Sequence, residues 1–471
     1  MEESEEKLSK LAVMSLVLGI FSLFFFVLAG IPAIVIGIVS ILRIRRGGGK
    51  LKGKYIALAG INISIVFMVI FYLFWSIDAP PIPNDYTIAD LRSAPAQYVE
   101  SFEVLKTLID EGTDSTDVPA IELTNSDTHM IAEIRGVIKT GTAPEISRTL
   151  NFYAEEINQI WADNKMARDV IRRLNEFPEI ADLAEPGVDF EPLNQRDLIQ
   201  LVRLHEVYAH LQTEQDDIHA VTTQLIELDS VFRKLSPNAR PFIGKLVCYV
   251  CMTADMVTAN TIANNARASQ ESIELLAGHF TPLTKEQLSL RNSVLFEYLL
   301  NRNNISGLLG RGITAKIRLL KKNSTLRFYR NVCDIGINSL EDIDDFNDVR
   351  FRVWPSIYPD MEPVSFQARR PLPLLYIFYN PVGSCILRIR SFHYESLLKR
   401  KTTVKIQDDL LQIVLKKRLG KDVSLKACAY SEEYVVDVEN GKIFSPGPDG
   451  QADTSDDIML RINPEVLGWR N

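Results

Sequence analysis

The sequence predicts a mainly α-helical protein in three parts. These are an N-terminal transmembrane helical hairpin, a soluble antiparallel helical bundle and a small C-terminal α+β cap. Three observations lead there. Leu11–Leu42 and Tyr55–Trp75 carry no charged side chain, and uncharged apolar runs of more than about 18 residues are long enough to span a bilayer. Apolar residues then recur at three- and four-residue spacing as far as Asn303, the period of a helix face. Beyond Asn303 glycine and proline interrupt that pattern, and the end alternates like strands around Asn440-Gly441, a strong hairpin-turn signal. Domain boundaries follow: an anchor at 1–77, a proline-rich neck at 78–93, the bundle at 94–303 and the α+β region at 304–471.

The second apolar run has 21 residues. At about 1.5 Å per residue it crosses a hydrocarbon core of about 30 Å. It ends in Phe71-Tyr72-Leu73-Phe74-Trp75, which places Tyr and Trp at an interfacial belt. The first run, 32 residues, is too long for one upright span. Gly30-Ile31-Pro32 divides it, so one steeply tilted helix and a tight hairpin of two helices both fit. Pro32 lacks an amide hydrogen and predicts a kink in either case. Between the runs, Arg43, Arg45, Arg46, Lys50, Lys52 and Lys54 form the densest cationic cluster flanking the spans, and such connectors stay cytoplasmic. One further crossing puts residues 78–471 outside the cytoplasmic membrane. A cleaved signal peptide is disfavoured by the acidic start (Glu2, Glu3, Glu5, Glu6) and by the second full-length run.

Composition bounds the body. The chain has 52 basic and 60 acidic residues, and the part after Pro80 carries all of the acidic excess. That balance opposes a nucleic-acid surface, which needs a clustered positive field. Five scattered cysteines (Cys248, Cys251, Cys333, Cys385, Cys428) are too few for a disulfide scaffold.

Asp78–Asp85, with Pro80, Pro81 and Pro83, reads as an extended polyproline neck. Tyr98, Phe102, Leu105, Leu108 and Ile109 predict a helix, and Pro144 with Glu145 opens another through Leu150, Ile157 and Trp161. Phe177–Pro192 reads as a surface loop. Asn194 is an expected N-cap for one long helix, from Leu198 through Phe232 to Ser236-Pro237. A second long helix is expected from Arg240 to His279, and a shorter one from Thr284 to Arg302. Asp342–Pro363 reads as an acidic loop and Pro371–Leu387 as a buried core segment. A basic helix follows at Tyr394–Leu419. Strands are expected at Ala427–Tyr430, Tyr434–Val438, Ile443-Phe444 and Ile458–Ile462.

Two family resemblances accompany these residues. Leu11–Ile20, Ile34–Arg46 with Gly37, and Gly53-Lys54-Tyr55-Ile56-Ala57-Leu58-Ala59-Gly60 resemble a bacterial membrane-domain family of unknown function. That implies a membrane module and no chemistry. Lys322–Leu326, Asn380-Pro381-Val382-Gly383 and Phe444-Ser445-Pro446-Gly447-Pro448-Asp449-Gly450 are similar to an uncharacterised family of bacterial membrane-anchored helical proteins. The ending resembles that of type II secretion pseudopilins, implying a pseudopilin-like cap. The chain departs from the pseudopilin pattern: it lacks the Gly-x-Tyr-Pro turn, the Asp-Pro-Phe-Asp-Gly segment and a prepilin-type cleavage site.

The candidate chemistry is sparse. Asp449, Asp453, Asp456 and Asp457 place four carboxylates within nine residues. Such a turn offers hard oxygens to calcium, against the plainer reading of a solvated acidic turn. His205 and His210 are five apart and so lie on different helix faces, which makes His205 a satisfied core histidine and not a zinc ligand. Cys248 and Cys251 have redox-motif spacing but sit inside an apolar helix, so they read as small buried hydrophobes. Asn304 and Asn323 open glycosylation-type triplets, which a bacterial chain would leave unused. The expectation is a non-enzymatic protein that contacts membrane lipid and an envelope protein partner or a second copy of itself. A calcium- or ligand-responsive sensor and an envelope hydrolase are the alternatives.

Overall fold

A computed structural model describes residues 7–46, 51–91, 96–109, 121–187, 196–215, 217–310, 321–339 and 393–469. Asn194, Cys385, Asp342–Pro363 and Pro371–Leu387 lie outside the described residues. The chain is mainly helical and divides into two compact units: among the described residues, the first holds those up to Ile82 together with Leu309, Gly310 and Lys321–Thr325, and the second holds the rest.

In the first unit, helical backbone runs over α1 (Lys10–Arg46) and α2 (Lys54–Ser76). α1 is not a rod. The Ser15 hydroxyl donates to the Ala33 carbonyl at 2.8 Å, and the Ser9 and Ser40 hydroxyls meet at 3.2 Å. Residues 18 apart in a straight helix would be about 27 Å apart, so α1 folds back on itself. That resolves the choice the sequence left open in favour of the hairpin. The two-residue strands β1 (Lys7–Leu8) and β2 (Leu51–Lys52) pair in parallel and set Lys10 and Lys54 at one level. Gly53, with φ of 118°, makes the turn into α2.

Small residues let the helices approach. A Cβ on Gly19 would lie 2.6 Å from the Gly60 carbonyl oxygen, and one on Gly60 would lie 2.6 Å from the Ser15 backbone. Such close approach characterises helix packing where no water drives association. Asp78 caps the start of α14 (Lys322–Ser339): its carboxylate accepts from the Asn323 N–H at 2.9 Å and the Ser324 N–H at 3.1 Å. A carboxylate there satisfies orphan amides and complements the helix dipole.

The second unit is built on α10 (Phe242–Ala263), which packs against α8 (Arg196–Glu214), α9 (Ile218–Leu235) and α15 (His393–Arg418). α10 is apolar on nearly every face, as a central helix must be. Its one lysine, Lys245, is fully buried and donates to the Ser236 carbonyl, the Ser236 hydroxyl and the Gln287 carbonyl at 2.7–2.8 Å. Three acceptors match the three donors of an ammonium group. Around this core stand α3 (Ala96–Ile109), α4 (Asn125–Thr140), α5 (Ala143–Phe152), α6 (Ala154–Asp163) and α7 (Lys165–Asn175), with α11 (Gln270–His279), α12 (Lys285–Leu288) and α13 (Arg291–Gly310).

Several expected helices are divided. The one read through Leu198–Phe232 is α8 and α9, broken between Glu214 and Ile218 where the acidic Asp217 interrupts the stripe. The one read over Arg240–His279 is α10 and α11. The Asn264 side chain folds back onto the Asn260 carbonyl at 2.8 Å, ending α10, and the Ser269 hydroxyl caps α11. Thr284 caps α12 in a reciprocal box with Gln287, but the chain turns at Ser289 before α13. The helix opened by Pro144 yields at Tyr153, which separates α5 from α6. Residues 177–187 form no regular element, as the prolines indicate, but the loop does not simply lie on the surface as expected, since Ile180, Ala181 and Asp182 are buried.

The C-terminal sheet is antiparallel, in the order β3 (Val435–Asp437), β4 (Lys442–Ser445), β5 (Ile458–Arg461). The expected strand at Ala427–Tyr430 is instead irregular, with one bridge between Lys426 and Glu433, because Tyr430 adopts φ of 66°. The sheet docks on the bundle through β5. The Arg461 carbonyl accepts from Asn260 at 2.7 Å, and its guanidinium donates to the Lys139 and Gly141 carbonyls at the end of α4, where cations suit a helix C-terminus.

Candidate functional site

The most distinctive surface belongs to α1 and α2. Val17, Leu28, Ile31, Val35, Val66, Ile70 and Leu73 are exposed, while Ser15, Ser22, Ser40 and Ser64 are buried between the helices. Two of the hydroxyls are satisfied locally, Ser22 on the Gly19 carbonyl at 2.5 Å and Ser64 on the Gly60 carbonyl at 2.8 Å. A polar interior with an apolar exterior is the reverse of a water-soluble hairpin.

By length and composition, two described stretches can cross a membrane: Leu28–Arg46 and Phe242–Ala263. The second is α10, mostly buried in the bundle and holding Lys245 and Asp255. The first carries the exposed apolar surface.

The bundle interior collects charge that the sequence did not flag. Asp229 on α9 is fully buried. Its Oδ2 accepts from Arg233 Nε at 2.5 Å and pairs with His279 Nε2 at 2.8 Å. Arg233 also donates to the Thr281 carbonyl at 3.0 Å and lies over the Phe280 ring. Burial opposes ionisation of Asp229, but Arg233 and His279 outweigh it and hold the carboxyl below its ordinary value. Across from it, Asp255 on α10 is pushed well above its ordinary value by burial and then by the charges of Asp229 and Glu206. Neither Asp255 carboxyl oxygen has a hydrogen-bond partner among the described residues. Asp408 on α15 accepts the Leu283 N–H at 2.8 Å, and burial raises it to about 6. Glu206 pairs with Arg135 at 2.6 Å. Asp229 is therefore held ionised and Asp255 neutral, while Asp408 titrates at about 6, and the cluster draws on α4, α8, α9, α10, α11 and α15. The contributing residues come from across the chain, so no spacing could have revealed them.

The neck itself is gripped at Asp85 and Tyr86. Asp85 accepts from the Tyr298 hydroxyl at 2.6 Å and pairs with Arg330 at 3.2 Å and Arg302 at 3.5 Å. The Arg330 guanidinium stacks 3.4 Å from the Tyr86 ring centroid.

The acidic loop between β4 and β5 brings its carboxylates onto the loop's own donors. Asp449 accepts from the Gln451 N–H at 2.8 Å, Asp457 from the Asp453 N–H at 2.8 Å, and Asp456 from the Thr454 hydroxyl at 2.6 Å. Asp453, at φ of 65°, pairs with Lys442 at 2.5 Å. The Asp456 carboxylate also accepts from the Asp449 backbone N–H at 3.4 Å, while the Asp453 carboxylate is drawn to the lysine. Among the described residues, no three His, Cys, Asp or Glu side chains gather as a metal-holding group.

His205 is buried against Trp161, at 5.4 Å between rings, and burial lowers it to about 4; it is a core histidine but not the satisfied one expected, since neither ring nitrogen has a hydrogen-bond partner among the described residues. His210 faces elsewhere and meets the Thr261 hydroxyl at 3.3 Å. Cys248 and Cys251 are free and buried, and burial raises the Cys248 thiol to about 12. That opposes a thiolate. A cleft of about 450 Å³ is lined by Ile121, Glu122, Thr124, Asp127, Ile160, Asp163 and Asp197. Asp127 is committed there to capping α4, accepting the Thr124 N–H at 2.8 Å.

Residues 11–74 match a family described as a domain of unknown function (DUF4190), in agreement with the resemblance carried by the Leu11–Ile20, Ile34–Arg46 and Gly53–Gly60 motifs. No curated protein and no solved structure matches the chain significantly.

Proposed function

We propose that the protein is integral to the cytoplasmic membrane, anchored by α1 and α2. In this reading the bundle is an extracytoplasmic body that works by binding protein partners and not by catalysis. The observation that carries it is the apolar exterior of the hairpin over its serine- and glycine-lined interior, which suits lipid as the surrounding solvent. The basic connector, Arg43, Arg45, Arg46, Lys52 and Lys54, supports a cytoplasmic position for the loop and an outward position for everything after α2. A binding role for the body is supported by the use of its buried ions: Lys245, Arg233, Asp229 and Glu206 are paired with structural partners. The likeness of the C-terminal end to pseudopilins makes secretion- or pilus-type envelope components the first partners to seek, with a second copy as the other candidate.

The test is in-cell crosslinking of the tagged full-length chain, after alkaline washing of membranes. The reading expects retention in the membrane, removal of the body by protease added outside, and repeated capture of envelope components. Release by the alkaline wash would overturn the anchor. Capture of no partner and no second copy would overturn the binding role.

A further inference from the structure

We propose that the α1 hairpin is re-entrant: it enters the bilayer from the face of the basic connector and turns back within the hydrocarbon, leaving α2 as the crossing helix. This rests on the membrane reading above and specifies how the anchor sits in it.

Depth is the first argument. The contacts Ser9–Ser40 and Ser15–Ala33 are both centred near residue 24, so α1 reverses there. From Lys10 to that point the hairpin rises about 21 Å, against a hydrocarbon core of about 30 Å. α2 starts at the same level, fixed by the pairing of Lys7 with Leu51 and Leu8 with Lys52. It runs 23 residues, or about 34 Å. Gly30, on the returning limb, packs against Met68. α2 continues from there for two more turns, with Val69, Ile70, Tyr72 and Leu73 more than half exposed.

The chemistry of the tip is the second argument. Residues 23–39, Leu-Phe-Phe-Phe-Val-Leu-Ala-Gly-Ile-Pro-Ala-Ile-Val-Ile-Gly-Ile-Val, contain no polar side chain. A turn that emerged into headgroups or water would carry the polar residues or the Trp and Tyr that such positions favour. The far end of α2 does so, with Tyr72, Trp75 and Ser76.

The length of the returning limb is the third. Leu28–Arg46 passes a length test for spanning through the inclusion of Arg43, Arg45 and Arg46. Without them, 15 residues remain from Leu28 to Leu42, about 22 Å.

The experiment places one new cysteine at a time in the full-length protein: Leu28→Cys at the tip, Lys52→Cys in the connector, Ile77→Cys beyond α2. Leu28 is 82% exposed, so the first substitution leaves the packing intact. Intact cells and inverted vesicles are treated with a membrane-impermeant maleimide. A lipid-soluble maleimide serves as control, and labelling is read on the isolated peptide so that native cysteines do not contribute. The expected result is Ile77→Cys labelled in cells, Lys52→Cys labelled in inverted vesicles, and Leu28→Cys labelled only by the lipid-soluble reagent. Labelling of Leu28→Cys in intact cells would overturn re-entry in favour of two further crossings, while leaving the anchor reading standing. Labelling of Leu28→Cys in inverted vesicles would overturn it by placing the tip at the connector face. Labelling of all three sites in both preparations would instead overturn the membrane reading itself.

Discussion

The α1–α2 hairpin keeps serine, alanine and glycine inside and large apolar residues outside, whereas the bundle buries leucine, isoleucine and aromatic side chains together with a few ions. In the membrane reading proposed above, the two regions answer to different solvents. In water, apolar area removed from solvent stabilises at about 25 cal/mol per Å², so the bundle fills its centre with large side chains. It can also bury Asp229 because Arg233 and His279 come with it. In lipid, apolar area is already solvated, and helices gain by close backbone contact. The hairpin therefore depends on Gly19, Gly37 and Gly60, where a side chain would meet its neighbour.

Five substitutions test that contrast, each read by denaturation of the full-length protein in mild detergent. The largest effect is expected at the bundle ion pair. Arg233→Met leaves Asp229 buried without its guanidinium and should cost about 3–5 kcal/mol. Adding Asp229→Leu should recover much of that loss, since an apolar pair of similar volume often replaces a buried ion pair at little cost. Equal stability of the single and double variants would break the argument that the unpaired charge is the problem.

Asp408 comes next, through pH. Its folded-state value of about 6 lies above the ordinary value of about 3.9. Between about pH 4 and 6 the folded state keeps a proton that the unfolded chain has lost, so this group makes stability fall as pH rises through that window. Asp408→Asn retains an acceptor for the Leu283 N–H and removes the ionisation. It should gain about 2–3 kcal/mol above pH 7 and nothing below pH 4. A gain independent of pH would assign the effect to packing instead.

The two smaller effects come from one chemical change made in both regions. Gly60→Ala puts a Cβ 2.6 Å from the Ser15 backbone and should cost about 1–3 kcal/mol by forcing the helices apart. Gly136→Ala, in α4, meets nothing within 4 Å and should gain about 0.5–1 kcal/mol from helix propensity. Effects of the same sign at both sites would remove the distinction drawn between the regions.

Much of the helical layout was legible, because its causes are local. The basic helix expected at Tyr394–Leu419 is α15 at His393–Arg418, and Thr284 caps where its hydroxyl and Gln287 predict. The breaks at Asp217 and Asn264 were not legible, since the apolar stripe resumes in register on the far side and only the packed helices show where the chain turns. The acidic residues Asp449, Asp453, Asp456 and Asp457 were visible as a cluster. Their use as acceptors for the loop's own N–H groups depends on turn geometry, such as the positive φ of Asp453, which acidic composition does not specify.

The sequence by itself determined that the chain is mainly helical, that its first 75 or so residues are unusually apolar, and that a small hairpin sheet closes it around Asn440-Gly441. Those features follow from side-chain period and turn chemistry within a few residues of each other. Tertiary structure alone decided that α1 folds back at residue 24, since Pro32 suits a kinked rod and a hairpin equally and only contacts 18 and 31 residues apart distinguish them. It also decided that α10, as apolar as a membrane span, is the core of the bundle. Lys245 and Asp255 can lie in that helix because residues distant in sequence supply the partners of one and favour the neutral form of the other.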